Sequence, residues 1–331
     1  MKLGETFFEA FQKKYKKNTV LYVPNDILLY KYIEYDKYFD LRTYKLKESF
    51  SKNEDIDYSK EIFQISNSIE KNDAEFKINK LKKINSNIDK MLIFNLDEIS
   101  YLTNLRSFQM KYSSNFKSIL YLDFKNSKYI LFLEDIPKNL SIKGLIFKRL
   151  EEFKGFISIV EANIYIDYYN ISLDNFLSIK KPKEYKNNNL SLLSSIKPIS
   201  AIEDMVISFN KLDCAIYEFK KQIKKGMSEV DLVKIFENEL SKQGSIQPSF
   251  KTILSIEENT ASIHYSTYDK NKILNDENLL LLDCGGYWSS GLYLVLIQKK
   301  QMLKNLIYLQ EIFFKNMKKT VFILIMVWVM G

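Results

Sequence analysis

Gln247-Pro-Ser-Phe-Lys-Thr-Ile-Leu-Ser-Ile-Glu-Glu-Asn-Thr-Ala-Ser-Ile-His-Tyr265 and Leu279-Leu-Leu-Leu-Asp-Cys-Gly-Gly-Tyr-Trp-Ser-Ser-Gly291 decide how this chain reads. The first stretch carries His264, the only histidine in 331 residues. In the second, an apolar run ends at Asp283 and is followed by Gly285 and Gly286. A short apolar run between polar turns predicts a buried strand. A glycine pair after it predicts a sharp bend, with the Asp283 carboxylate at the strand mouth. Such a place suits a metal ligand or a catalytic acid. The plain alternative is a capped strand end with an ordinary turn aspartate. For His264 the corresponding alternative is a buried, hydrogen-bonded strand histidine.

Three phrases occur here in order: Pro248-Ser249-Phe250-Lys251-Thr252-Ile253, Asn259-Thr260-Ala261-Ser262-Ile263-His264-Tyr265 and Asp283-Cys284-Gly285-Gly286. Together they resemble the pita-bread metallopeptidases, in the Xaa-Pro aminopeptidase branch. A fourth phrase, Leu96-Asp97-Glu98-Ile99-Ser100-Tyr101-Leu102-Thr103-Asn104-Leu105-Arg106, is similar to one in that family's creatinase-type domain. The fold implied is an α/β creatinase-type N-terminal domain followed by a partial α+β pita-bread catalytic domain. The activity implied is removal of the N-terminal residue before proline, with peptides carrying proline at the second position as partners. The family's site holds two divalent ions between two Asp, one His and two Glu, and the ions activate a water. Manganese is the usual metal, and cobalt or zinc suits the same oxygen-rich ligands. On this resemblance Asp283 is the first bridging metal ligand. His264 is the catalytic, substrate-side histidine that assists proton transfer.

The resemblance implies partial equipment only. No histidine follows position 264, so the family's ligand histidine has no counterpart, and neither do its glutamate-bearing strands. The chain is therefore expected to be truncated within its catalytic domain and inactive or impaired, holding no metal tightly. Regrouping the codons of Met326-Val-Trp-Val-Met-Gly331 one base earlier forces a Gly-x-Gly-x-Gly phrase, because Met and Trp have single codons. Residues 292–331 are thus expected to be an aberrant tail read out of frame, with a divergent but genuine tail as the alternative. Val321–Met330 is apolar but shorter than the roughly 20 residues of a bilayer span, so no membrane partner is expected.

Composition agrees with a globular chain: 46% of residues are hydrophobic and the net charge is +8. The positive residues are nearly all lysine, with Arg42, Arg106 and Arg149 the only arginines. Lysines alternate with Asp and Glu and form no basic stripe, which argues against nucleic acid. A non-catalytic binding module with a pita-bread fold and a basic nucleic-acid binder are the rival functions. Two cysteines, Cys214 and Cys284, and no secretory signal at the start predict free thiols in a cytoplasmic chain. A homodimer is compatible with the resemblance.

Along the chain, residues 1–75 are expected to be a remnant of a first α/β domain, with a strand at 19–23. Residues 76–195 are expected to be the creatinase-type α/β domain. It should hold a helix over 74–84 and strands at 90–94, 118–122, 128–133, 156–160 and 163–167. Asp97 is expected to cap a short helix. Residues 198–291 are expected to open the pita-bread domain. A helix from Ser200 to Lys221 should bury Ile202, Met205, Val206, Phe209, Leu212, Ile216 and Phe219 at helical spacing. Ser228 with Asp231 forms a capping-box pattern before a second helix.

Overall fold

A computed structural model of the chain describes residues 6–45, 56–65, 73–262, 264–289 and 294–303. These divide into two units. The first comprises residues 1–56, 71–105 and 116–195, and the second residues 57–70, 106–115 and 196–331.

The first unit opens with α1 (Phe7–Lys14), β1 (Val20–Pro24), α2 (Leu29–Asp36) and β2 (Asp40–Tyr44), the two strands pairing in parallel. Its main part contains α3 (Ala74–Ile84), β3 (Lys90–Ile93) and α4 (Leu96–Thr103). Next come β4 (Ser118–Asp123), β5 (Lys128–Leu133), β6 (Leu145–Arg149) and α5 (Phe153–Ser158). It closes with β7 (Ile164–Ile166), α6 (Leu173–Phe176), β8 (Pro182–Glu184) and α7 (Asn189–Ser195). The strands build one mixed six-stranded sheet in the order β8-β7-β3-β4-β5-β6. Its central strands read as near-continuous apolar runs because helices cover them, and Leu120, Leu122, Leu131 and Phe132 are fully buried.

Two local expectations are corrected here. In place of the strand expected at 156–160, Phe156, Ile157 and Ser158 end α5 and the chain turns at Ile159. Phe156-Ile-Ser-Ile-Val160 looks strand-like in isolation. Phe153, Phe156, Ile157 and Val160, however, stand at i, i+3, i+4 and i+7 and pack into one apolar cluster, which is a helix face. The cap of α4 is Asn95, not Asp97: the Asn95 side chain accepts from the N–H groups of Asp97 and Glu98 at 2.9 and 3.3 Å. Asn104 ends α4 in the left-handed conformation (φ 58°). Beside it, buried Lys77 of α3 donates from Nζ to the Tyr101 carbonyl at 2.7 Å and to Asn104 Oδ1. The ammonium also lies 4.4 Å from the centre of the Tyr101 ring. A cation placed on the last carbonyls of a helix is favoured by the helix dipole.

In the second unit, α8 (Ile199–Gln222) and α9 (Glu229–Lys242) cover a sheet of β9 (Gln247–Pro248), β10 (Ile253–Ile256), β11 (Leu280–Ser289) and β12 (Leu294–Leu303). β9 and β10 pair antiparallel with successive parts of β11, and β12 pairs antiparallel with it from Leu280↔Leu303 to Ser289↔Leu294. Residues 294–303 of the expected aberrant tail therefore form a strand. Residues 290–293 and 304–331, including Val321–Met330, lie outside the described residues.

The side chains of β11 alternate, as a strand requires. Leu280, Leu282, Cys284 and Trp288 join Leu212, Ile216 and Phe219 of α8 and Leu232, Phe236 and Leu240 of α9 in the core. Each such large side chain contributes about 2 kcal/mol through burial. The expected bend at Gly285 and Gly286 is absent: β11 runs straight through both. Gly286 answers a packing need. A Cβ there would meet Ser245 Oγ at 2.6 Å and the Trp288 ring at 2.9 Å. Trp288 is held in place by a 3.1 Å bond from its Nε1 to the Gln243 carbonyl.

The face of α8 differs from expectation over its first half. Leu212, Ile216 and Phe219 are buried as predicted, but Ile202 and Val206 are exposed, and Ser200, Asp204 and Ser208 point inward. The helix carries apolar residues on both sides of its first half, so periodicity alone does not identify the inner one.

Candidate functional site

The predicted site residues lie on the sheet of the second unit and on the segment joining β10 to β11. Asp283 is buried in β11, opposite Ile253 of β10 and on the strand face away from Leu282 and Cys284. Leu281 and buried Ser255 share that face by alternation, and the Ser255 hydroxyl has no hydrogen-bond partner among the described residues. The motif words stand in register: Pro248 pairs with Gly286, and Ile253 with Asp283.

His264 is placed differently from a strand histidine. β10 ends in a 3-10 turn over Glu257–Ala261, and His264 follows on an exposed turn with φ 56°. His264 and Asp283 therefore stand on separate elements, one exposed and one buried. Among the described residues, no group of three or more His, Cys, Asp or Glu side chains could hold a metal ion. The described residues do not offer the donor set of the paired-metal centre that the resemblance implies.

The best-organised polar group nearby is one the motif reading did not single out. Glu229, the first residue of α9, is fully buried. Its Oε1 accepts from the Ile256 N–H at 2.8 Å and from Asn259 Nδ2 at 3.0 Å. Its Oε2 accepts from the Tyr265 hydroxyl at 2.6 Å and from the Asp269 N–H at 2.9 Å. Asn259 Nδ2 also donates to the Tyr265 hydroxyl at 3.0 Å. Burial, and then the neighbouring Glu229 carboxylate, hold the Tyr265 hydroxyl above the ordinary phenol pKa, so it stays a donor.

Local sequence explains why Glu229 arrives there. Ser228 caps α9 in a reciprocal box: its Oγ accepts from the Asp231 N–H at 3.2 Å, and its own N–H donates to Asp231 at 3.1 Å. The Ser228 and Asp231 hydrogen bonds hold the Asp231 carboxyl below the usual carboxylate range. Backbone bonds from Gly226 and Glu229 to the Leu274 and Lys272 carbonyls bring the returning chain alongside. Glu229 shares the buried face of α9 with Leu232, Val233, Phe236 and Leu240. A charged residue completing an apolar helical face is the signal that could have found it.

Residues 205–294 match metallopeptidase family M24. The X-prolyl aminopeptidase from Caenorhabditis elegans, described as a cytosolic enzyme with a di-nuclear active site, superposes with a TM-score of 0.76 at 14% identity, covering 91% of this chain and 54% of that one. The Xaa-Pro dipeptidase from Bacillus anthracis gives 0.55 at 16% identity, over 70% of this chain and 65% of that one. The X-Pro aminopeptidase from Thermotoga maritima MSB8 gives 0.51 at 16% identity, over the same shares. The chain thus spans between about half and two thirds of the length of the solved structures it matches. Its fold is the creatinase-type, pita-bread fold of these Xaa-Pro peptidases.

Proposed function

We propose that this chain, Xaa-Pro aminopeptidase-like in fold, is built for peptides with proline at the second position and is impaired in their hydrolysis. The observation that carries the reading is the register of the motif words: Pro248 against Gly286 and Ile253 against Asp283 on adjacent strands. Asp283 is the carboxylate of the site, and His264 the substrate-side imidazole. In the family a divalent metal, manganese or else cobalt or zinc, supplies the activated water. One matching carboxylate and one histidine in the whole sequence support the view that this chain lacks that part of the chemistry. No step is therefore derived through a metal.

Cys214 and Cys284, neither of them in a disulfide, suit a reducing, cytoplasmic setting. No described helix is long and apolar enough to cross a membrane. Surface lysines are met by acids, as in the pairs Lys148–Glu152, Lys154–Asp174 and Lys225–Asp276, which speaks against a nucleic-acid surface. A homodimer remains compatible with this reading.

The test incubates the purified full chain with an Xaa-Pro peptide, with and without Mn²⁺ or Co²⁺. The expected outcome is peptide contact without turnover: line broadening of the peptide resonances, and no cleavage above a protein-free control. Metal-dependent cleavage that disappears in Asp283→Ala would overturn the impairment. Absence of any effect on the peptide signals would remove the peptide as partner.

A further inference from the structure

We propose that Glu229 is a positioning residue whose buried carboxylate fixes the turn that presents His264. Two observations carry it: the left-handed backbone of His264 and the hydrogen bonds that Glu229 collects on either side of it. His264 has a left-handed backbone at φ 56° without being glycine, and Glu257, at the other end of the same segment, does so at φ 50°. Such conformations cost about 1 kcal/mol or more each and persist only where the surroundings over-determine them. The surroundings do so here at both ends. The Glu257 N–H donates to the Leu279 carbonyl at 2.9 Å, and the Leu279 N–H returns a bond to the Glu257 side chain.

The other end is gathered by Glu229. Its two oxygens collect Ile256 before the turn, Asn259 within it, and Tyr265 and Asp269 after His264. The residue next to His264 in sequence is therefore tied to the core by its side chain, while His264 itself stays exposed. All four donors are neutral, so among the described residues the carboxylate is held by hydrogen bonds. This is a rigid seat for an otherwise strained backbone, and its acceptor, Glu229, lies outside the motif words while Asn259 and Tyr265 belong to one of them. Its purpose rests on the reading of His264 as the substrate-side imidazole; the seat itself stands on the hydrogen bonds alone.

His264 is the only histidine in the sequence, so in the full chain labelled with [¹⁵N]histidine every imidazole resonance belongs to this one ring, and its Nε2 resonance is the signal followed. In Glu229→Gln one oxygen becomes an NH₂ donor. That group must face either the Ile256 and Asn259 donors or the Tyr265 and Asp269 donors. We expect cooperative unfolding to persist, while the His264 imidazole signal moves most of the way to its unfolded-chain position and broadens. Tyr265→Phe removes one donor and should move the signal in the same direction by less. A Glu229→Gln chain that is less stable yet keeps the native His264 signal would show that Glu229 only supports the fold. If Glu229→Gln does not fold, Tyr265→Phe and Asn259→Ala decide: an unmoved signal in both overturns the proposal. Because the readout needs neither peptide nor metal, its outcome is separable from that of the peptide assay.

Discussion

Glu229 and Asp204 are both buried carboxylates on the helical layer of the second unit, with 0% and 3% of their surface exposed. Glu229 receives four hydrogen bonds from four different residues. The Oδ2 atom of Asp204 has no partner among the described residues, and neither has the Ser208 hydroxyl one turn further along α8. The same helix exposes Ile199 at 77%, together with Ile202 and Val206. Burial by itself is thus no sign of a role. One carboxylate is the hub of a satisfied network, while the other occupies the inner face of α8 where Ile199, Ile202 and Val206 look outward. Satisfied polar groups specify a conformation, whereas orphaned ones only cost stability.

The comparison can be broken most decisively at Glu229. Glu229→Ala strands four donors, among them the buried Ile256 N–H. It should lower the unfolding free energy by more than about 3 kcal/mol in urea titrations. A loss below 1 kcal/mol, about the value of one ordinary hydrogen bond, would mean water replaces the carboxylate freely. Next in size is Gly286→Ala. The added methyl has no room against Ser245 and the Trp288 ring, so a loss of about 2 kcal/mol is expected. Ser245→Gly in the same chain should recover part of it, measured as a double-mutant cycle.

Ser228→Ala removes the cap that sets where α9, and hence Glu229, begins, at about 1 kcal/mol near neutral pH. The Asp231 pKa is depressed in the folded chain, so its contribution exists above about pH 4 and is lost as pH falls through the folded value. The stability gap between wild type and Ser228→Ala should therefore narrow on acidification; a gap that widens would contradict the assignment. The smallest effect is expected at Asp204→Ala, which removes a poorly satisfied carboxylate. The change should lie within about 1 kcal/mol of zero and tend toward stabilisation. A large loss would show that Asp204 has a partner as good as those of Glu229.

Much of the sheet of the second unit is legible in the sequence because its words are pairing words. Pro248, Ile253, Asp283 and Gly286 are close because β9 and β10 run back along β11. The start of α9 is legible too, since Ser228 and Asp231 cap each other within four residues. What stays hidden is non-local. Ile202 and Val206 fit one helical stripe as well as Ser200, Asp204 and Ser208 fit another, and only the tertiary neighbours choose between them. The glycine pair reads as a bend, but Gly286 is there because Ser245 and Trp288, which approach through the fold, leave no space for a side chain. Glu229 escapes for the same reason. Three of its four partners lie at least 30 residues away, and no local pattern records them.

The enclosure of Lys77 in the first unit has a consequence for chemical labelling. Acylating reagents need an amine lone pair that solvent can reach. The Lys77 amine is held under the Tyr101 ring and against the end of α4, with its protons directed at the Tyr101 carbonyl and the Asn104 amide oxygen. It becomes available to a reagent only when α3 separates from α4. Among the lysines of this chain, Lys77 is thus a slow clock, and its modification rate counts the openings of the first unit.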